Sequence, residues 1–206
     1  LRVIRSLKQQ SKLTIKATFL GAHAYPAAYK ENKEGYMQLL LHRLLPQVAA
    51  EGLADYIDAF CEQGYFSVED TERLLEAGEK LGLRAKVHVN QFNAIGGVQA
   101  CIRHQALSVD HLEVLTDADV QALRKSETMP TALPGCSFYL RIPYTQGRQL
   151  IDAGLPLALA SDYNPGSSPS FNMNLVVSLG CIQMRLLPEE AVNAATLNSA
   201  YAMGVE

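Results

Sequence analysis

Short apolar runs alternate with longer amphipathic stretches from one end of the chain to the other, and this rhythm constrains the fold more than any single motif. The runs "LTIKATFLGAH", "ADYIDAFCE", "LRAKVHVNQF", "ALSVDHL", "TMPTALPG" and "LPLALASD" are rich in the β-branched, aromatic and aliphatic residues of strands. Between them lie helix-like stretches such as "YMQLLLHRLLPQVAAEG", "SVEDTERLLEAGEKLG", "TDADVQALRKS" and "IPYTQGRQLIDAG". After the last run come "PSFNMNLVVSLGCIQM" and "LPEEAVNAATLNSAYAMG". Strand and helix in strict alternation predict a parallel sheet of βαβ units with both faces covered.

Helix punctuation supports this reading. Ser67 and Asp70 have the spacing of a capping box with aspartate in the glutamate position, and Gly82 ends that helix. Thr116 precedes "DADVQAL", and Pro188 stands at a first-turn position. Six strand–helix units fit either a doubly wound sheet or part of a (β/α)8 barrel. A complete barrel needs about 250 residues, so a chain of 206 residues would hold roughly six of its eight strands. No repeat or linker marks a second domain. The chain opens without an initiator methionine and stops just past a helical pattern, which is expected of a piece of a longer protein.

Lys and Arg number 18 against 21 Asp and Glu, a net charge of −3 with no basic stripe of the kind nucleic acid requires. The apolar runs fall far short of the roughly 20 residues that cross a bilayer, and no charged-then-apolar leader opens the chain. The expectation is a soluble cytoplasmic protein without nucleic-acid or membrane partners. Cys61, Cys101, Cys136 and Cys181 form no CxxC pair and are expected as reduced, buried thiols.

Buried parallel strands should end apolar, yet here polar groups recur at strand C-termini: His23, Glu62, His88, Asp110 with His111, and Asp162. That rim is where active sites form in parallel α/β folds. Taken singly, His88 reads as a hydrogen-bonded core histidine, and Asp110 could orient His111. Asp162 changes the balance, because a carboxylate after a strand as apolar as "PLALA" needs a cation or strong donors. A divalent metal on His88 and Asp162 meets that need, and imidazole with carboxylate suits zinc or iron. The turn "SDYNPGSSP" that follows offers backbone N–H groups and hydroxyls to a ligand. His42 and His104 read as structural or exposed.

The stretches "TFLGAHAYP", "DAFCEQGYFS", "HVNQFNAIGG", "ALSVDHLE", "LPGCSFYLR" and "LALASDYNPGSSPS", in this order and spacing, resemble the imidazolonepropionase family of metal-dependent amidohydrolases. The resemblance runs from Leu13 onward. It implies a partial TIM-like barrel, about strands 3 to 8, forming one incomplete catalytic domain over residues 1–206. It further implies His88 and Asp162 as metal ligands, and His111 and Asp162 as catalytic groups. His23, Gln91, Asn164, Gly166 and Ser167 would contact substrate, and the whole protein would be a homodimer. The implied reaction is hydrolytic opening of the 4-imidazolone-5-propanoate ring to N-formimino-glutamate by a metal-activated water. Another amidohydrolase activity on a cyclic amide or aminated ring, or a silent binding homologue, stays open.

Two departures stand out. The family's HxH metal-ligand pair and the arginine and tyrosine that grip the propionate arm have no counterpart here. His88 and Asp162 alone would hold metal poorly, since catalytic zinc usually takes three protein ligands. The chain by itself is therefore expected to be inactive, and open sheet edges would make it unstable. Gln91 stands where glutamate is commoner; it can accept from a ring N–H but cannot serve as a base.

Overall fold

The computed structural model describes all residues, Leu1–Glu206. Its six strands are β1 (Thr18–Ala22), β2 (Tyr56–Cys61), β3 (Arg84–Val89), β4 (Ser108–His111), β5 (Met129–Ala132) and β6 (Ala158–Leu159). All neighbouring pairs are parallel, and the spatial order is β1-β2-β3-β4-β5-β6. A doubly wound sheet must reverse its strand order at a switch point. Sequential order without reversal is the arc of a (β/α)8 barrel, so the topology decides between the two architectures. β1 and β6 are the two edges of that arc.

Eleven α-helices accompany the strands: α1 (Arg2–Gln10), α2 (Lys33–Leu39), α3 (Leu45–Ala50), α4 (Val68–Lys80), α5 (Gly97–Arg103), α6 (Asp117–Leu123), α7 (Pro134–Leu140), α8 (Gly147–Asp152), α9 (Met173–Ile182), α10 (Pro188–Ala195) and α11 (Leu197–Ala202). No helix is long and apolar enough to cross a membrane. Both predicted capping boxes form: the Ser67 and Thr116 hydroxyls accept the N–H groups of Asp70 and Asp119, whose carboxylates accept in return. Pro188 occupies the first turn of α10 as expected.

The stretch expected as one helix through Pro46 is interrupted. Between α2 and α3 the backbone widens into a π-helical segment, Leu40–Leu44. Proline lacks an N–H and its ring presses on the carbonyl four residues back. The wider turn just before Pro46 relieves both problems without ending the helix. His42 lies exposed on this segment, consistent with a structural reading.

Strand alternation sorts the side chains onto two faces. Ile57, Ala59, Cys61, Ala85, Val87, Val89 and Val109 point outward into one apolar core with Leu74 and Leu75 of α4, Val98 and Cys101 of α5, and Val120 and Leu123 of α6. Close approach is enforced by Gly78, where a Cβ would stand 2.8 Å from Ile57 Cγ2. The other face departs from the expectation of two apolar, covered faces. It carries Asp58, Lys86, His88, Ser108, Asp110 and Thr131: helices cover only the outside of a barrel, and the inner face is filled by side chains from the strands themselves, here polar ones, most of which pair with one another.

The inner polar residues are paired. Lys86 Nζ donates to the Ser108 hydroxyl and to the Ala202 carbonyl at 2.9 Å, and lies 3.8 Å from Asp110. Ser108 Oγ donates to Asp110 Oδ1 at 2.7 Å. Burial would push the Asp110 carboxyl up, but Lys86 and His88 outweigh it and hold it below its ordinary value. Helix α11 closes the N-terminal end of this inner face: Ser199 Oγ donates to the Leu159 carbonyl, and Tyr56 donates to the Met203 carbonyl.

Candidate active site

Three imidazoles, from β1, β3 and β4, meet at the C-terminal rim. His23 directly follows β1, His88 lies in β3 and His111 ends β4. The rings of His23 and His88 are centred 6.2 Å apart, and those of His88 and His111 5.2 Å apart. His23 also stacks on Phe60 at 5.6 Å. Asp162, three residues beyond β6, is close enough for its charge to act on both His23 and His88. The expected rim constellation therefore assembles, with Glu62 and Asp110 left out of it.

Those two acids have other work. Glu62 is buried and accepts the N–H groups of Phe92 and Asn93 at 2.9 and 3.2 Å, and the Asn93 side-chain amide at 3.0 Å. It clamps the loop that carries Gln91. Asp110 faces Lys86 in the inner ladder, so it does not orient His111. Glu113 does: its Oε1 lies 3.2 Å from His111 Nδ1.

His111 reaches the rim through its backbone. Alternation from Ser108 and Asp110 would send its ring outward with Val109, toward the helices. Instead φ is +90° at His111 and +63° at Leu112, which turns the ring inward to His88. Asn90 after β3 and Asp162 after β6 also have positive φ, at +55° and +50°. Non-glycine residues in this region each cost on the order of 1–3 kcal/mol and cluster at functional sites.

His88 is held by Asp58, a buried acid in the middle of β2. Asp58 Oδ1 accepts the His88 backbone N–H at 3.2 Å, and Oδ2 lies 2.9 Å from Nδ1, a close ionic contact whose N–H is poorly aligned for a straight hydrogen bond. Burial alone would lower the His88 pKa; the Asp58 carboxylate outweighs it and lifts the imidazole to about 9. His23 moves the other way, below its ordinary value, through partial burial and the neighbouring His88.

Gln91 is buried, and its Nε2 donates to Cys136 Sγ at 3.4 Å, which leaves Oε1 as an acceptor. Burial, with the charges of Asp162 and Glu113, pushes the Cys136 thiol up to about 12.

The turn after β6 differs from its expectation. The Asn164 side chain accepts the N–H groups of Gly166 and Ser167 at 2.9 and 2.7 Å, and its amide donates to the Asp162 carbonyl and to Ser167 Oγ. Asn164 and Ser168 exchange backbone hydrogen bonds. The N–H groups expected to face a ligand are thus occupied within the loop, because asparagine side chains mimic a turn of backbone. Asn164 and Gly166 shape the turn; Ser167 Oγ reaches toward Asp162 Oδ2 at 3.5 Å.

Two donor sets could receive a metal. His111, Glu113 and Cys136 place one ligand atom each within 4.8 Å of one another. There the Cys136 thiol is held protonated and the His111–Glu113 pair is already closed. His88 with Asp162 fits better: a carboxylate behind Nδ1 is the usual backing of a metal-bound histidine and leaves Nε2 for the ion.

Along its whole length the chain aligns with curated imidazolonepropionases. It is 60% identical over 205 residues to that of Flavobacterium psychrophilum, covering 100% of this chain and 50% of the relative. Against that of Christiangramia forsetii it is 61% identical over 203 residues, covering 98% and 49%. The chain belongs to the imidazolonepropionase family. It spans about half the length of the curated relatives it matches. No protein-family model matches it. Among solved structures, a zinc-bound adenosine deaminase from Xanthomonas campestris superposes with a TM-score of 0.72 at 15% identity, over 97% of this chain and 50% of that one. That likeness confirms the partial barrel arc of parallel strands.

Sequence reasoning missed Asp58, Glu113 and Cys136. A lone acid inside the apolar run "YIDAFC" was the available signal for the first; "DHLE" held the second, masked by the nearer Asp110.

Proposed function

We propose that this chain supplies the substrate half of an imidazolonepropionase site, and that the whole protein hydrolyses 4-imidazolone-5-propanoate to N-formimino-L-glutamate. The observation that carries the reading is the row of His23, His88 and His111 closed by Asp162 at the barrel rim, in a chain about 60% identical to imidazolonepropionases.

His88 Nε2 and Asp162 would hold one metal ion, zinc or iron, with further ligands from outside this chain; the structurally similar adenosine deaminase holds zinc. When bound, such an ion lowers the pKa of water and polarises a carbonyl. Asp58 keeps the Nδ1 proton on His88 and so fixes which nitrogen faces the ion. Gln91 Oε1 accepts a ring N–H of the imidazolone, its amide having been turned by Cys136. His111 stands at the attacked carbonyl and stabilises the charge that grows there. Asp162, hydrogen-bonded by Ser167, takes the proton of the attacking water and returns it to the ring nitrogen as the C–N bond breaks. Water adds across that bond, one carboxylate forms, and the amidine nitrogen leaves protonated. The reading takes the whole protein as a cytoplasmic homodimer acting on a small molecule.

The test is turnover by the metal-loaded whole protein, followed as N-formimino-glutamate formed. Asp162→Ala and His88→Ala should abolish it together with bound metal, and Gln91→Glu should retain it. A metal-loaded protein inert on imidazolonepropanoate would overturn the reading. A large gain from Gln91→Glu would show that a carboxylate base is needed at that position.

A further inference from the structure

We propose that Glu62 is a positioning residue that holds Gln91 as a preset hydrogen-bond acceptor and so makes the site selective for a heterocycle presenting a ring N–H. The inference rests on the substrate contact given to Gln91 above and adds what fixes that side chain and what it selects.

The residues on both sides of Gln91 are pinned to buried acids. On one side, Asn90 Nδ2 donates to Asp119 Oδ2 at 3.1 Å, and the Asn90 carbonyl accepts the Val114 N–H at 2.9 Å, with the backbone left-handed at φ +55°. On the other side, Glu62 Oε2 accepts the N–H groups of Phe92 and Asn93, while Oε1 accepts the Asn93 side-chain amide and, at 2.9 Å, the N–H of Gln63. Glu62 is 1% exposed and has no lysine or arginine partner, so these four donors alone satisfy its carboxylate. Three of them belong to the two residues that follow Gln91. A shift of residues 92 and 93 would strip a buried carboxylate of its partners, which is why the loop stays where it is.

The side chain between these anchors has one end fixed and one end open. Nε2 donates to the buried Cys136 Sγ at 3.4 Å, whereas Oε1 receives no hydrogen bond within the protein and is not sealed from solvent. A glutamine free to turn would offer a ligand its donor or its acceptor; one held this way offers the acceptor alone. A ring N–H satisfies that acceptor. A ring nitrogen carrying a methyl group leaves it unpaired under the ligand, the situation that discriminates most strongly between similar molecules. Glu62 touches no reacting atom and acts through Gln91.

The experiment uses the metal-loaded whole protein, with hydantoin-5-propanoate and its 1-methyl and 3-methyl derivatives as probes and calorimetry as the measure of affinity. Wild type should bind the parent at least about 10-fold more tightly than one of the two methyl derivatives. Glu62→Gln sets an amide donor against the loop's own donors; that ratio should fall to within about threefold, and the Phe92 and Asn93 amides should exchange at least about tenfold faster. A merely structural role would weaken all three probes together and leave the ratio unchanged. Glu62→Gln/Asn93→Asp exchanges donor for acceptor within the same side-chain pair and should restore the ratio. Gln91→Ala should lose the ratio, and Glu62→Gln/Gln91→Ala should lose no more. A wild-type ratio kept in Glu62→Gln, or a further loss in Glu62→Gln/Gln91→Ala, overturns the proposal. Should Glu62→Gln fail to fold, Asn93→Ala removes one donor and leaves the acid in place; it should lower the ratio at least about twofold, and an unchanged ratio there is equally fatal. Failure of the functional reading shows in wild type, as absence of imidazolonepropanoate turnover, whereas failure of this proposal shows only in the variants.

Discussion

Asp58→Asn should remove a specific slope from the pH dependence of stability. In the folded, metal-free chain the Asp58 carboxylate lies 2.9 Å from His88 Nδ1 and lifts that imidazole from 6.5 to about 9. With the His88 side chain 19% exposed, solvent screening takes little from the effect. Binding the proton more tightly when folded contributes ~3 kcal/mol, from 1.36 kcal/mol per pKa step of one. Because the folded value is raised, this stability is fully present below pH 6.5 and lost as pH rises through about 9. Urea unfolding of metal-stripped wild type and Asp58→Asn at intervals from pH 6 to 9.5 measures it. The gap between the two should narrow by ~3 kcal/mol across that window. A gap that stays constant, or a His88 that titrates below 6.5 by NMR, would refute the reasoning. Saturating the whole protein with metal should flatten the wild-type slope, since the ion takes the proton's place on Nε2.

Three further outcomes are expected. Lys86→Met leaves Asp110 buried without its cation and should cost about 3–5 kcal/mol in thermal unfolding, with Lys86→Met/Asp110→Asn recovering much of it. Asn164→Ala removes the acceptor of the Gly166 and Ser167 N–H groups and should speed their hydrogen exchange at least tenfold, a loss of about 1–2 kcal/mol confined to the loop. Gly78→Ala pushes a methyl to 2.8 Å from Ile57 and should cost ~1–3 kcal/mol by chemical denaturation.

The alternation of apolar runs and amphipathic stretches was enough to read the parallel sheet, its strand positions and its capped helices. Periodicity reports burial, however, and both faces of a barrel strand are buried; nothing in "RAKVHV" distinguishes a lysine in a polar inner ladder from one at a strand start. The run "LPLALASD" yields only the two-residue β6, which pairs with β5 through Ala158 and Leu159. At the site, His23, His88, His111 and Asp162 were legible as polar strand ends. What held them was not. Asp58 and Glu113 act across strands or around a backbone bend, and the left-handed φ of His111 leaves no trace in residue type. The "NPGSS" turn was read as open to a ligand because its composition shows donors, while their capture by Asn164 is a matter of geometry.

Helix α11 gives the chain a particular order of assembly. Lys86 and Tyr56 have the carbonyls of Ala202 and Met203 as acceptors, 116 and 147 residues farther along. As the chain is synthesised, β1 to β3 can pair and bury their outer face long before those acceptors exist. The inner face waits with an ammonium whose carbonyl acceptor has not yet been made, and is sealed only when the segment after β6 folds back beneath it. Contacts so distant in sequence form late and are slow to find. The last turn of α11 thus works as a latch, so that proteolysis or frameshift just before residue 202 would leave a correctly paired sheet with an unsealed, charged interior.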